Sequence, residues 1–85
     1  MNLGAPVHRM TTDRITVDSR ILAGKPVIQG TRVPVHLILA MLGSGVAREE
    51  ILNEYPQLSD ADLDAAVLYA SHVVASTDWV EFGVV

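Results

Sequence analysis

Lys25 and Arg32 lie seven residues apart in the run Gly24-Lys25-Pro26-Val27-Ile28-Gln29-Gly30-Thr31-Arg32-Val33-Pro34-Val35. Cations held on a backbone punctuated by glycine and proline can grip an anion, either nucleic-acid phosphate or an acidic protein site. Each Gly and Pro in this run fixes a local backbone choice, so the segment reads as a recognition surface before a catalytic one. It is not a phosphate loop, because Gly24-Lys25 lacks the upstream glycine and Pro26 stands where Ser or Thr is required. Arg14 and Arg20 precede it, and with Lys25 and Arg32 they form the expected contact set if DNA is bound.

Other chemistry finds no matching pattern. His8, His36 and His72 are far apart and none has an i, i+4 ligand partner, so no metal site is expected. Asp60, Asp62 and Asp64 read as complements to the positive end of a helix rather than as metal ligands. Serine, histidine and aspartate are all present, yet nothing arranges them as nucleophile, base and orienter. The expectation is therefore a protein that is not an enzyme and carries no cofactor. Without cysteine there are no disulfides or thiolate sites.

The 85 residues make one small domain with 49% apolar composition, enough for a thin core. With no covalent staple, oligomerisation or a partner protein is the expected extra source of stability. Neither a membrane span nor a signal-peptide core is visible, and the chain reads as cytoplasmic. The net charge of −4 hides a division. Residues 1–48 hold all six Lys and Arg against Asp13 and Asp18, a balance of +4. Residues 49–85 hold eight acids and no Lys or Arg, a balance of −8. The basic front suits phosphate or an acidic protein site, whereas the rear does not.

These residues must be positioned by a few short elements. Residues 1–13 lack periodicity and are expected to form a flexible arm. Ile15-Thr16-Val17 reads as a strand, with Val27-Ile28 and Thr31-Arg32-Val33 as its candidate partners. A first helix is expected from Pro34 to Leu42 or Gly43, apolar nearly all round with His36 as its interior polar side chain, and stopped by Gly43-Ser44-Gly45. Such a helix is central or shared with a second subunit. A second should span Ala47 to Glu54, with Ala47, Ile51, Leu52 and Tyr55 facing inward. The third has the clearest start, with Ser59 as N-cap, Asp62 three residues on, and Leu58 with Leu63 as a hydrophobic staple. Its main apolar stripe is Leu63, Ala66, Val67, Ala70 and Val74, and a second one is Ala61, Ala65, Leu68 and His72. Helix, turn and helix over residues 47–75 scan as a helix-turn-helix, but the first turn of the reading helix carries Asp60, Asp62 and Asp64, which phosphate would repel. Beyond it, Trp79, Phe82 and Val85 suit a docking tail over residues 77–85.

Together these segments resemble a known family. Ile15-Thr16-Val17-Asp18, Gly24 to Ile28 and Gly30 to Val35 look like the signature of a small bacterial and archaeal group catalogued as domain of unknown function DUF433. Gly45, Glu49-Glu50-Ile51-Leu52, Tyr55-Pro56, Leu58, Ala66 and Tyr69-Ala70 fit its second half. The resemblance covers about residues 15–72. It implies a mostly α fold, a three-helix homeodomain-like (helix-turn-helix) core with a short N-terminal β element. It also implies an antitoxin of a type II toxin–antitoxin pair, whose partner is a PIN-like, metal-dependent nuclease; antitoxins of this general kind often repress their own operon. Only the Gly24–Arg32 block carries over as a contact surface. Two features depart from the pattern: Ala47 stands where a Ser or Thr cap is usual, and the tail after Ser76 lies outside it.

An inhibitor can block a carboxylate–Mg²⁺ site with a cation or cover its entrance. With no Lys or Arg after Arg48, a charge plug would come from the front half. The steric route is favoured, through Leu68, His72, Trp79, Phe82 and Val85. The alternatives are a stand-alone DNA-binding transcriptional regulator and a homodimeric scaffold joined through the first helix; a homodimer or a higher hetero-oligomer is the expected assembly.

Overall fold

A computed structural model describes residues 14–76. The expected arm over residues 1–13 and docking tail over residues 77–85, with Trp79, Phe82 and Val85, lie outside the described residues. The element order is β1 (Ile15–Thr16), a 3₁₀ turn (Leu22–Gly24), β2 (Val27–Ile28), α1 (Val35–Gly43), α2 (Arg48–Glu54) and α3 (Asp60–Ser76). The described residues are mostly helical, with three helices following a short β element, as the sequence implies.

β1 and β2 pair antiparallel, Ile15 opposite Ile28 and Thr16 opposite Val27. Strands this short are not stable alone; β1 packs on α3, and Ile15, Val27 and Ile28 are all buried. The third strand expected over Thr31–Val33 does not form. Thr31 donates its amide to the Ile28 carbonyl (3.0 Å) and Gly30 takes φ +82°, so residues 28–31 close a tight turn instead. The returning chain makes only a bridge between Val27 and Pro34.

That bridge explains where α1 begins. Pro34 keeps an extended backbone (φ −74°, ψ 146°) and serves as N-cap, so the helix starts one residue later than expected, at Val35. The stop is a Schellman motif, in which Val46 donates to Met41 (3.0 Å), Gly45 donates to Leu42 (3.0 Å), and Gly45 takes φ +88°. Val35 and Ile38 are buried, while Leu37, Leu39, Met41 and Leu42 are partly covered and pack on the core. His36 is exposed, not interior.

α2 begins at Arg48 after Ala47, which supplies no side-chain cap. Ile51 is fully buried, and Leu52 and Tyr55 are half-buried against the core, whereas Ala47 is exposed rather than inward-facing. α3 starts with the expected capping box in aspartate form: Asp62 accepts from the Ser59 amide (2.9 Å), and the Ser59 hydroxyl accepts from the Asp62 amide (3.3 Å). Leu58 and Leu63 are both buried beside it. All three helices touch one another around Ile38, Ile51, Leu63 and Ala66.

The main stripe of α3 does not run where the sequence suggested. Leu63 and Ala66 are buried with Asp62 and Ala65, but Val67 and Val74 are 46% and 62% exposed. Val67 lies about 100° round the axis from the fully buried Ala66 and so faces aside, while for Val74 the reason is length. α3 has 17 residues, about 25 Å of helix, whereas α1 and α2 have nine and seven and run out beneath it.

Candidate functional site

The front loop divides into residues that the fold uses and residues it leaves over. Gly24 and Gly30 take left-handed φ of +87° and +82°. Pro26 accepts from the Val35 amide (2.9 Å). The Thr31 hydroxyl donates to the Ile28 carbonyl (2.8 Å) and accepts from the Val33 amide (2.9 Å), closing the turn from inside. Val33 fills the core. Lys25, Gln29 and Arg32 are exposed. The loop has fixed nearly everything except the side chains that carry charge.

An account of cations sharpens this. Arg14 donates to Asp62 (2.9 Å), a carboxylate that is 11% exposed. Arg20 holds both oxygens of Asp18, at 3.0 and 2.7 Å. That guanidinium keeps the Asp18 carboxyl below its ordinary value, and Asp18 in return raises Arg20. Arg48 reaches from α2 to Asp64 (2.7 Å) and Asp60 (3.0 Å) on α3; the bond to Asp64 first, and to Asp60 second, raises its pKa. Among the described residues, Lys25 and Arg32 are the cations without an ion pair. They stand at opposite ends of the β2 arm, roughly 10 Å apart at strand rise, so they offer two contacts rather than one convergent pocket.

The acids of α3 are accounted for in the same way. Asp60 and Asp64 face Arg48, while Asp62 holds Arg14 and the Ser59 amide. No group of three His, Asp or Glu suited to a metal occurs among the described residues.

A second surface lies at the far end of α3. From Val67 to Ser76 the helix carries no Asp, Glu, Lys or Arg, and Val67, Leu68, Val73 and Val74 are exposed at 46, 42, 46 and 62%. At 3.6 residues per turn, Leu68 and His72 sit roughly 100–160° round the axis from Val67 and Val74. The projecting half therefore shows two distinct apolar sides, and the Leu68–His72 side is the one singled out from the sequence.

The structure thus brings Arg14 against Asp62 and Arg20 against Asp18, leaves Lys25 and Arg32 outward, and puts Leu68 and His72 on an exposed helix remote from the loop in sequence. Trp79, Phe82 and Val85 lie outside the described residues. Sequence reasoning missed the exposure of Val67, Val73 and Val74; for Val73 and Val74 the unequal helix lengths were the available signal. It also missed the left-handed turn at Leu22 (φ 47°) and Ala23 (φ 57°), which no residue type announces.

Comparison with known proteins gives a coherent picture. The model of a family described as a protein of unknown function, DUF433, matches residues 15–70. The chain is 38% identical over 56 residues to the uncharacterised protein y4eO of Sinorhizobium fredii, covering 66% of this chain and 25% of that one. It is 61% identical over 23 residues to an uncharacterised protein of Archaeoglobus fulgidus, covering 27% of this chain and 64% of that one. The match thus spans about a quarter of the first relative's length. A crystal structure of a DUF433 member from Anabaena variabilis resembles it with a TM-score of 0.68 and 28% identity, over 84% of this chain and 70% of that one.

Proposed function

The chain belongs to the DUF433 family of proteins of unknown function, and from that membership we propose that it is a protein-binding module, an antitoxin that neutralises a PIN-like, metal-dependent ribonuclease. The observation that carries this reading is the uncharged, exposed second half of α3, with Leu68 and His72 on one side and Trp79 and Phe82 a few residues further along the chain. Apolar side chains on one side of a helix are what a partner's groove takes up, and aromatic residues dominate binding energy at interfaces. Inhibition on this reading is steric: the helix and the residues after it cover the nuclease entrance.

The test begins with a pull-down of the tagged chain from its native cells and mass spectrometry of the eluate. A nuclease in near-equal amount is expected, followed by titration of its activity. Leu68→Asp, and Trp79→Ala with Phe82→Ala, should each weaken inhibition by about 30-fold or more, the loss expected for a hot spot of 2 kcal/mol. Unchanged inhibition in both variants would sink the steric route.

One observation favours a second reading, a stand-alone DNA-binding transcriptional regulator. Lys25 and Arg32 carry charge outward on a fixed loop without an ion pair among the described residues. Arg14 and Arg20 would have to leave Asp62 and Asp18 to add to them, and Asp60 and Asp64 at the start of α3 oppose phosphate. Binding of this kind falls with salt, with a slope near one unit per phosphate contact. Replacing Lys25 and Arg32 by Gln should cut that slope by about two.

A further inference from the structure

Between Lys25 and Arg32 the fold leaves one polar side chain over. Val27 and Ile28 are buried, and the Thr31 hydroxyl is taken up by the Ile28 carbonyl (2.8 Å) and the Val33 amide (2.9 Å). Gln29 is exposed, and its carboxamide makes no hydrogen bond among the described residues. The turn that carries it is fixed from several directions. Gln29 donates its own amide to the Arg14 carbonyl (2.8 Å), and Arg14 is itself tied to Asp62 (2.9 Å). Thr31 donates to the Ile28 carbonyl and Ile28 to the Val33 carbonyl, both at 3.0 Å. At the tip, a Cβ on Gly30 would meet nothing within 4 Å, so another molecule can approach the backbone closely. The chain on either side is free of carboxylates, since residues 19–48 hold no Asp or Glu.

We propose that Gln29 is a specificity-determining residue: the turn over residues 28–31 enters the major groove of duplex DNA, Gln29 reads the edge of an adenine, and Lys25 and Arg32 hold phosphates on either side. The inference deepens the DNA-binding reading and rests on it. A carboxamide donates and accepts at once, which matches the N6 donor and N7 acceptor that adenine shows in the major groove. The cations position the chain but carry no sequence information through phosphate, so a separate group has to read the base. The other exposed side chains of residues 19–48 that both donate and accept are Ser19, His36 and Ser44, and all three fall outside the interval between the two cations. The start of α3 does not suit the role, because it presents Asp60 and Asp64 where a reading helix meets the groove. A turn already held by its own hydrogen bonds also loses little freedom on binding.

Selection from a random-sequence duplex library at low salt decides it, run with the full chain, with Gln29→Ala, and with Lys25→Gln and Arg32→Gln together. The fold holds Gln29 by its backbone alone, so Gln29→Ala leaves the turn in place. The unaltered chain should enrich a site with one fixed adenine. Gln29→Ala should lose discrimination at that base pair by about tenfold or more, with the salt slope of the unaltered chain retained. The double variant should bind every sequence more weakly, keep the preference for that adenine, and show a shallower salt slope. An enriched site that Gln29→Ala selects as sharply as the unaltered chain overturns the proposal and leaves DNA binding standing. Binding without preference for any sequence does the same. A chain that retains no duplex at low salt removes the DNA-binding reading itself, and this inference with it.

Discussion

Ala23 occupies left-handed backbone at φ 57°, between Leu22 at 47° and Gly24 at 87°. Only glycine takes that conformation without steric cost, and each non-glycine residue there gives up about 1–2 kcal/mol. Ala23→Gly should therefore raise stability by a net amount of about 0.5–1 kcal/mol once the extra freedom of an unfolded glycine is subtracted. A urea midpoint that moves up with an unchanged slope would register this. Gly30 gives the converse case. A methyl group at Gly30 would meet nothing within 4 Å, so Gly30→Ala isolates backbone strain from crowding and should cost about 1 kcal/mol. Asp62 is the other residue on which much depends, since its buried carboxylate serves both the Ser59 amide and Arg14. Asp62→Ala should lose about 2 kcal/mol, a cap together with a charged hydrogen bond. The Asp18–Arg20 pair acts locally. Because the folded carboxyl titrates below its ordinary value, the contact is present above the usual aspartate range and is lost as pH falls through the lowered value. An NMR titration of the Arg20 amide, which donates to Asp18 at 2.9 Å, should show its midpoint on the acid side of an unpaired aspartate.

At the level of elements, α2 and α3 begin in opposite ways. α3 has a reciprocal Ser59–Asp62 box, while α2 follows an exposed Ala47 already in the extended conformation of an N-cap (φ −68°, ψ 148°) but with no oxygen to offer. Ala47→Ser should stabilise the domain by about 0.5–1 kcal/mol, read as a higher midpoint in chemical denaturation. α3 itself is uneven. Its first two turns are locked by Leu63, Ala65 and Ala66 and by Arg48 bridging to Asp60 and Asp64, whereas beyond Tyr69, which still packs on the core, residues 71–76 are exposed. Local stability follows local burial.

For the molecule as a whole, the core is thin enough that a single side chain matters. Ile28, Ile38, Ile51 and Leu63 are its largest fully buried members, drawn from β2 and all three helices. Ile38→Ala should cost about 3 kcal/mol against a total of roughly 5–15 kcal/mol for small domains. No helix among the described residues is long and apolar enough to cross a membrane. The separation of charge along the chain survives folding only in part, because Arg14, Arg20 and Arg48 are each paired with an acid. Among the described residues, a pair of cations on one loop, an acidic face on α2 and an uncharged length of helix face outward.

Much of this was legible in the residues themselves. Gly45 after α1, Ser59 and Asp62 before α3, and Tyr55-Pro56 after α2 mark element ends through local backbone and hydrogen-bond chemistry, which needs no tertiary context. The contact surface around Lys25 and Arg32 could be nominated on the same grounds. Which cations stay available could not, because Arg14 and Asp62 are 48 residues apart in sequence and meet only when β1 packs on α3. Nor could periodicity say where the apolar stripe of α3 stops being core. Leu63 and Val74 carry the same signal in the sequence, but burial depends on whether another element lies beneath, and α1 and α2 are too short to reach the end of α3.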